Sequence, residues 1–472
     1  MTLPAELERL LPPDRLLRDA GELAVYANDA FTLVEARPEA VVLPQSTAEV
    51  ATVVRWAAVA GVALVPRGAG TSLAGGTIAI GGGVCLCLSR MRRILEIDYR
   101  DRFARVEAGV TNLAISQAVA AAGWHYAPDP SSQVTCTIGG NVNTNAGGPH
   151  TLKYGVTANH VLGATVVWPD GTVESLGGPY DDAPGADLLG LLIGSEGTLG
   201  IVTEATVRLT RSAPAVRTLL AEFDRLDSAA VAIARIAAAG IVPAALEMMD
   251  RTVVCAVEDW LGIGLPRDAE AVLIIELDGL EAGLDAQAAR VAELARGAGC
   301  RAVRAAATAE QRADWWKARK KSFGALGRVG HAIVTQDGVV PPSQVPEIAR
   351  RIAAIAERRG VRVSLVMHAG DGNIHPLLLY DGRDERQVRA VVAAGYDILD
   401  ACVALGGTVS GEHGVGVEKV EHLRRMLDPA SIAAQERVRS AIDPRRGLNP
   451  DKLFAGGGGC VERLRPPRGI QP

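Results

Sequence analysis

Pro66-Arg67-Gly68-Ala69-Gly70-Thr71-Ser72 is a glycine turn that follows directly on a predicted strand, Ala63 to Pro66. A strand from Ala40 to Leu43 and a helix from Val50 to Ala60 precede it. Successive backbone N–H groups in a glycine turn at a strand end form a nest for an anion such as a pyrophosphate. A Rossmann fingerprint would need a third glycine at Leu73, and the Gly-Lys-Ser/Thr triad of a nucleotide P-loop is absent from this turn. Alone, the turn fits a structural role as well as a phosphate site.

Three further glycine-rich loops continue this pattern. They are Thr137-Ile-Gly-Gly-Asn141, Asn145-Ala-Gly-Gly148 and Gly194-Ser-Glu-Gly-Thr-Leu-Gly-Ile-Val202. Loops of small residues allow the backbone to approach a ligand closely. Together with the first turn, they predict an extended ligand that lies along the main chain of one domain.

A different kind of motif lies in the C-terminal half, at His368-Ala-Gly-Asp-Gly-Asn-Ile-His375. The two histidines are an odd number of residues apart, and strand side chains alternate with period two, so the pair cannot share a face of one regular strand. Gly370 to Asn373 is suited to a turn, between predicted strands Leu365 to Met367 and Pro376 to Leu379. Such a turn would direct both imidazoles to one place.

Glu412 and His413 follow about forty residues later in another glycine-rich stretch. Ligands of the His/His/carboxylate type, here His368, His375 and Glu412, leave coordination positions open, as a catalytic divalent metal requires. His413 is then the candidate base. A lone histidine is more often a hydrogen-bonded surface or core residue than a ligand, and we place His422 on a solvated helix.

The length and composition of the chain limit the classes of protein to which it can belong. At 472 residues it exceeds the usual size of one hydrophobic core, so two domains are expected. The net charge of −5, with no basic block interleaved with aromatic residues, argues against nucleic-acid binding. Seven cysteines without a CxxC pair argue against a disulfide framework and an iron–sulfur cluster. No signal peptide or spanning segment is predicted, which favours a cytoplasmic enzyme, with peripheral attachment to a membrane through partners left open.

The pattern of strands and helices predicts four parts. Residues 1–35 carry an amphipathic helical pattern, and residues 36–214 alternate short strands with helices and include a long glycine/asparagine loop at 128–148. Residues 215–440 carry long alanine-rich helices separated by strands, which indicates a second α+β domain. Residues 441–472 are predicted to return to the surface of the first domain.

The order and spacing of these motifs resemble the vanillyl-alcohol-oxidase (PCMH-type) family of FAD-binding proteins. The downstream motifs are similar to its D-2-hydroxyacid dehydrogenase branch, which includes glycolate, D-lactate and D-2-hydroxyglutarate dehydrogenases. The resemblance implies an α+β fold with a PCMH-type FAD-binding domain and an α+β cap domain of the FAD-linked oxidase C-terminal type. The segments that carry it are Pro66–Ser72, Pro128–Ser132, Thr137–Asn141, Asn145–Gly148, Lys153–Gly155, Gly194–Gly200, Trp316–Lys321, Phe323–Gly327, His368–His375, Gly411–Gly414 and Leu448–Pro450.

The resemblance implies FAD held without a covalent bond, because the first loop has no histidine or cysteine for attachment. Cys136 and His150, which lie near the later loops, leave a covalent link open. The cofactor-binding residues implied are Pro66, Arg67, Gly68, Ala69, Gly70, Thr71, Ser72, Pro130, Ser131, Thr137, Gly139, Gly140, Asn141, Asn145, Gly147, Gly148, Gly194, Glu196, Gly197, Gly200, Ile201 and Val202.

The implied reaction is the oxidation of a short D-2-hydroxy acid to the 2-oxo acid. The substrate would chelate a divalent metal, zinc or manganese before iron, and hydride would pass to flavin N5. His413 would take the hydroxyl proton, Arg319 would bind the carboxylate, and Asn373 would align the substrate or the ligands. The stretch Thr335-Gln-Asp-Gly338 lacks the lysine that meets a second carboxylate in 2-hydroxyglutarate enzymes, which favours glycolate or D-lactate.

Other readings of the same motifs are a D-2-hydroxyglutarate-type dehydrogenase, a flavoenzyme like the alkylglycerone-phosphate synthases, and a flavin-binding scaffold subunit without its own activity. The expected partners are the small 2-hydroxy acid and an electron acceptor, either subunits that carry flavin or iron–sulfur groups or a quinone. A second copy of the chain, in a homodimer, is a further expected partner.

Overall fold

The computed structural model describes residues 6–180 and 184–454. The chain divides into two compact units. Among the described residues, the first unit contains 6–147, 156–180, 184–212 and 412–454, and the second contains 148–155 and 213–411. The domain boundaries predicted from the sequence are 35/36, 214/215 and 440/441. Within the first unit, the amides of Val415 and Gly416 donate to Glu196.

The first unit is built on two larger sheets and a small two-stranded one. A four-stranded sheet has the order β1-β2-β4-β3, with parallel pairing among β2, β4 and β3. A five-stranded antiparallel sheet has the order β5-β6-β10-β8-β9, and β11 pairs with β7. The strands are β1 Leu16–Leu17, β2 Ala40–Val42, β3 Leu64–Arg67, β4 Val84–Cys87, β5 Ile94–Asp98, β6 Phe103–Glu107, β7 Trp124–His125, β8 Val161–Val167, β9 Val173–Gly177, β10 Ile201–Arg208 and β11 Thr210–Arg211.

The helix before the first glycine turn follows its sequence signals. It spans Thr47–Ala60, the Ser46 side chain accepts a hydrogen bond from the Glu49 amide at its start, and Gly61 ends it in a left-handed conformation. Its apolar side chains pack against the parallel sheet. The strand β3 ends at Arg67, and the glycine turn follows at the carboxyl end of this strand. The other helices of this unit are Ala20–Ala24, Asn112–Val119, Ile138–Thr144, Leu188–Leu192, Val420–Met426 and Pro429–Ile442.

Within the described part of residues 1–35, residues 6–7 and Ala20–Ala24 are helical, and a 3-10 turn and the strand β1, which pairs with β2, lie between them. One sequence-based prediction of secondary structure is wrong in this unit. The predicted loop 128–148 contains the helix Ile138–Thr144, which Thr137 begins by accepting a hydrogen bond from the Gly140 amide at 3.4 Å.

The C-terminal part of the chain lies against the first strands of this unit. Leu448 forms a parallel bridge with Leu64, and the Asn449 amide donates to the Leu64 carbonyl at 2.7 Å. The buried ammonium of Lys452 donates to the Ile78 carbonyl at 2.8 Å. Residues 455–472, the rest of the predicted returning segment, lie outside the described residues.

The second unit is one eight-stranded antiparallel sheet with helices packed on it. Its strand order is β15-β12-β14-β13-β18-β19-β16, and β17 also pairs with β19. The strands are β12 Ala215–Phe223, β13 Ala245–Asp250, β14 Ala271–Gly279, β15 Cys300–Ala305, β16 Ala332–Thr335, β17 Gly338–Val339, β18 Arg362–His368 and β19 Asn373–Tyr380. The helices are Thr151–Tyr154, Leu226–Ala238, Arg251–Leu261, Leu284–Gly297, Ala309–Leu326, Val345–Arg359 and Glu385–Ala404.

One face of this sheet is covered by the helices Arg251–Leu261 and Ala309–Leu326. Their side chains form a core with sheet residues that all point to that face, among them Met249, Ile274, Val366 and Leu377. The long alanine-rich helices predicted from the sequence are confirmed within one or two residues at their N-termini. In the described residues, no helix is both long and apolar enough to cross a membrane. All six cysteines in that part of the chain are free thiols.

Candidate active site

A groove runs along the glycine loops of the first unit. The predicted cofactor residues that line it are Pro66, Arg67, Gly68, Ser72, Thr137, Gly139, Gly140, Glu196, Gly197, Gly200, Ile201 and Val202. Gly76, Thr77, Leu88, Ala108, Asn143 and Thr144 complete the lining.

The glycines of this groove bring separate backbone segments into close approach. A Cβ on Gly68 would lie 2.2 Å from the Thr137 hydroxyl, and one on Gly139 would lie 2.7 Å from the Ala108 Cβ. A long ligand that is recognised by main-chain groups needs such side-chain-free walls. The walls of the groove therefore suit an extended ligand that contacts the main chain.

Two charged residues of the groove are held by protein groups. The Arg67 guanidinium donates to the Asn28 carbonyl at 2.8 Å and lies over the Tyr26 ring. The Glu196 carboxylate accepts from the amides of Val415 at 2.6 Å and Gly416 at 2.8 Å. Burial raises the pKa of Glu196, and these hydrogen bonds oppose that rise. The Glu196 side chain thus fastens the chain near residue 415 beside the groove.

The other predicted cofactor residues lie outside the lining of this groove and stay predictions. They are Ala69, Gly70, Thr71, Pro130, Ser131, Asn141, Asn145, Gly147, Gly148 and Gly194. Asn141 is buried, and the Asn145 side-chain oxygen accepts from the Ala158 amide. Neither residue considered for a covalent link lines the groove. Cys136 is buried, which raises its pKa, and His150 belongs to the second unit, with Nε2 3.3 Å from a Glu276 oxygen.

The two motif histidines lie on the predicted hairpin of the second unit. β18 and β19 pair so that His368 is opposite Asn373 and His375 is opposite Val366. Directly opposite residues share a face, so this register puts both histidines on the same face of the sheet. Their ring centroids are 4.9 Å apart, and both side chains are buried. The prediction of a turn that brings the two imidazoles together is confirmed.

A buried carboxylate on the neighbouring strand holds His368. Glu247 of β13 lies opposite His368, and its two oxygens are 2.8 and 2.9 Å from His368 Nδ1. Arg319, from the Ala309–Leu326 helix, places Nε 2.6 Å from a Glu247 oxygen and Nη2 3.4 Å from the same Nδ1. Arg319 is only 4% exposed. The predicted carboxylate-binding arginine is therefore part of a buried group of three charged or polar side chains.

A second buried carboxylate organises the other end of the hairpin. Asp337 accepts hydrogen bonds from Asn373 Nδ2 at 2.8 Å, the Ser410 hydroxyl at 2.8 Å and the Gly411 amide at 3.0 Å. Asn373 Nδ2 also donates to the Gly338 carbonyl. The Asn373 amide donors are thus used within the protein. His375 Nδ1 lies 3.3 Å from the Gln336 carbonyl.

The same face of the sheet carries a third buried carboxylate, Glu276. It accepts from Arg312 at 2.7 and 2.8 Å, from the Trp316 indole at 2.6 Å and from the Thr218 hydroxyl at 2.8 Å. Burial alone would raise the pKa of Glu276, but the hydrogen bonds from His150 and Arg312 outweigh it and hold that pKa well below its usual range. Through Arg312 and Trp316, Glu276 therefore anchors the helix that also supplies Arg319.

The candidate ligand Glu412 and candidate base His413 belong to the first unit. The His413 Nε2 lies 3.7 Å from a Glu412 oxygen, and both side chains are largely buried. His422 does lie on a helix, Val420–Met426, but the prediction of a solvated helix is wrong for it. The side chain is only 2% exposed, so this helix is not solvated at His422.

Sequence reasoning missed Glu247 and Asp337 as parts of this site. Glu247 stands in the apolar run Ala244-Ala-Leu-Glu-Met-Met249, and an acidic residue within a buried strand is the signal that could have been noticed. Asp337 was noted only because its stretch lacks a lysine. One of the groups that donate a hydrogen bond to Asp337, the Ser410 hydroxyl, lies 73 residues away in the sequence.

The comparisons with known proteins agree with this architecture. The family model described as "FAD binding domain" matches residues 38–177, and the one described as "FAD linked oxidases, C-terminal domain" matches residues 212–453. A curated relative, "Glycolate oxidase subunit GlcD" of Escherichia coli (strain K12), is 42% identical over 446 residues, which cover 94% of this chain and 89% of the relative.

Another curated relative, "D-lactate dehydrogenase" of Anaerostipes hadrus, is 33% identical over 94% of each chain. The crystal structure of p-cresol methylhydroxylase matches with a TM-score of 0.77 at 17% identity and covers 95% of both chains, which supports the PCMH-type fold. The matches of both domain families and of relatives along nearly the whole length show that this chain belongs to the FAD-linked oxidases, with an FAD-binding domain and an FAD-linked oxidase C-terminal domain.

Proposed function

We propose that the protein oxidises a short D-2-hydroxy acid, glycolate or D-lactate, to the 2-oxo acid, with FAD in the glycine-loop groove and the assistance of a divalent metal. The observation that carries this proposal is the buried His368–His375 pair, held on one sheet face with a carboxylate on Nδ1 of His368. Relatives named as a glycolate oxidase subunit and a D-lactate dehydrogenase support the substrate class.

The donor set fits zinc or manganese, with His368, His375 and Glu412 as ligands. Glu247 and the Gln336 carbonyl engage the Nδ1 atoms of the two histidines, so their Nε2 atoms are the coordinating nitrogens. Glu412 follows Gly411 directly in the chain, and the Gly411 amide donates to Asp337, the carboxylate that also accepts from Asn373. Imidazole and carboxylate ligands suit both metals.

Each remaining residue has a defined task in this proposal. When bound, FAD supplies the hydride acceptor and the metal supplies a Lewis acid for the substrate hydroxyl. His413 accepts the hydroxyl proton, and the neighbouring Glu412 carboxylate stabilises the imidazolium that forms. Arg319 binds the substrate carboxylate through its Nη atoms while Glu247 holds its Nε. Asn373 offers its carbonyl oxygen to the substrate or to a ligand.

The environment of residues 335–338 favours a substrate with a single carboxylate. Asp337 is fully buried, and a second carboxylate near it would meet like charge without a lysine to balance it. Arg328, the nearby arginine considered for a second carboxylate, is exposed, and its guanidinium lies 5.8 Å from the Trp260 ring centroid. We therefore propose that glycolate and D-lactate are oxidised with higher kcat/KM than D-2-hydroxyglutarate.

Anaerobic bleaching of the protein-bound flavin tests the proposal directly. Glycolate, D-lactate, L-lactate and D-2-hydroxyglutarate are added in turn, and the oxidised flavin absorbance is followed. We expect rapid bleaching by glycolate or D-lactate and slow bleaching by the other two. A protein that L-lactate reduces as fast as D-lactate, or that prefers D-2-hydroxyglutarate, would refute the proposed substrate.

We also propose that the electrons leave to an acceptor outside this chain, a flavin or iron–sulfur subunit or a quinone. The word "subunit" in the name of the Escherichia coli relative supports a partner protein. Reoxidation of the bleached flavin by a short-chain quinone, compared with reoxidation by dioxygen, measures which acceptor is used. Faster reoxidation by dioxygen than by the quinone would contradict this part of the proposal.

A further inference from the structure

We propose that Glu247 is a positioning residue that sets the tautomer of His368, and that Arg319 would impose the opposite tautomer if the carboxylate were lost. The inference rests on the proposed function, in which His368 is a metal ligand. It goes further because it assigns a task to a residue outside the predicted ligand set and identifies a competitor for the same nitrogen.

Glu247 determines which ring nitrogen of His368 carries hydrogen. Its side chain is 1% exposed, and both oxygens lie within 2.9 Å of Nδ1. An ionised carboxylate can only accept hydrogen bonds, so Nδ1 must be the protonated nitrogen of the neutral ring. The lone pair then resides on Nε2, the nitrogen that is turned away from Glu247. This is the state in which an imidazole can coordinate a metal through Nε2.

Arg319 places a hydrogen-bond donor, instead of an acceptor, near the same atom. Its Nη2 lies 3.4 Å from His368 Nδ1, and a guanidinium has donors only. Opposite this donor alone, Nδ1 would act as an acceptor, and the ring hydrogen would move to Nε2. A protonated Nε2 has no lone pair for a metal. Glu247 prevents this outcome because it lies closer to Nδ1 and also holds Nε of Arg319 at 2.6 Å.

The second histidine shows the same principle with a backbone acceptor. His375 Nδ1 faces the Gln336 carbonyl at 3.3 Å, which also assigns the hydrogen to Nδ1. The Asp337 carboxylate lies 3.9 Å from the same nitrogen. At His368 the acceptor is a side chain, Glu247, which can be replaced by mutation.

The tautomer of His368 can be measured without any metal. We suggest ¹⁵N NMR of metal-free, FAD-loaded protein with labelled histidine, with the His368 signals assigned by comparison with His368→Gln. We expect hydrogen on Nδ1 in the wild-type protein and on Nε2 in Glu247→Gln. In that variant a neutral amide replaces the carboxylate that accepts from the imidazole and pairs with the guanidinium. An Nδ1–H tautomer in both proteins would overturn the inference.

Metal affinity gives a second measurement, in which a second substitution should restore what the first one removes. We expect Glu247→Gln to weaken Zn²⁺ or Mn²⁺ binding by about 10–100-fold, the usual effect of losing a residue that orients a ligand. The double variant Glu247→Gln/Arg319→Leu removes the competing donor, leaves the amide oxygen to His368, and should recover most of the affinity. Glu222→Gln, on β12 of the same sheet, is the matched control and should bind metal as the wild type does.

The outcomes separate this inference from the proposed function. If Glu247→Gln binds metal as tightly as wild type, or if the double variant binds no better than Glu247→Gln, Glu247 does not act through the tautomer. If wild type and His375→Ala bind metal equally, the proposed metal site is wrong. The NMR result still decides the effect of Glu247 on His368 in that case.

Discussion

Replacing Gly197 by alanine should weaken FAD binding through a defined steric conflict. Gly197 lines the cofactor groove with φ of +70°, and a Cβ there would lie 2.4 Å from Cγ of Pro66. Such a distance is far inside van der Waals contact. The new Cβ and the Pro66 ring must therefore move apart, and Pro66 directly precedes the first glycine turn.

The size of this effect can be separated from backbone strain by a matched glycine. Gly61 has φ of +69°, and nothing lies within 4 Å of a Cβ at that position. Gly61→Ala should show only the left-handed penalty of about 1–2 kcal/mol, reduced by about 0.4–1 kcal/mol from the less flexible unfolded chain. Gly197→Ala should add an overpacking cost of about 1–3 kcal/mol.

Two assays measure this difference. If the conflict is relieved by moving Pro66, the dissociation constant of FAD should rise about tenfold for each ~1.4 kcal/mol, as measured by flavin fluorescence on the apoprotein. If the steric conflict with Pro66 remains, the Gly197→Ala protein should unfold at a lower temperature than Gly61→Ala. The difference should be about 2–4 °C for each kcal/mol of additional destabilisation. Equal FAD affinity and equal unfolding temperature for the two variants would refute the reasoning.

Three further outcomes are expected. Acid precipitation should release FAD into the supernatant, because neither Cys136 nor His150 lines the groove; flavin that stays in the pellet would reveal a covalent link. His413→Asn should bind metal almost normally but reduce flavin about 10²–10⁴-fold more slowly in anaerobic stopped-flow experiments, because it lacks the base; a wild-type rate would place the base elsewhere. Gly372→Ala should lose most of its bound metal by elemental analysis, because its Cβ would lie 1.9 Å from the Val340 carbonyl in the hairpin turn, whereas Gly360→Ala, also at positive φ but without close neighbours, should retain it.

The sequence predicted the features that depend on local chemistry. The hairpin between His368 and His375 followed from the parity of their spacing and from the turn residues between them, and β18 and β19 confirm it. The helix Ile138–Thr144 was missed because Gly139 and Gly140 lie within it and suggest a loop. The Thr137 cap, visible in the sequence, was outweighed by that signal.

The parts that could not be predicted depend on residues that are distant in the chain. Glu247 meets His368 across 121 residues, and the pairing of β13 with β18 that brings them together has no local signature. Asn373 and Arg319 were identified as functional candidates, but their partners Asp337 and Glu247 were not. A buried ion pair is specified by the register of a sheet, which single-strand patterns do not encode.

The chain passes back and forth between its two compact units, since residues 148–155 belong to the second unit and residues 412–454 to the first. During synthesis, the glycine turns leave the ribosome long before Asn449, which donates to the Gly76 carbonyl across 373 residues. Val415 donates to Glu196, and Leu448 forms a bridge with Leu64 of β3. These contacts can form only when almost the entire polypeptide is available. Loop closure over such a distance is slow. Truncation shortly before residue 448 should therefore leave the nascent first unit unfinished and dependent on chaperones, even though every glycine loop is already present.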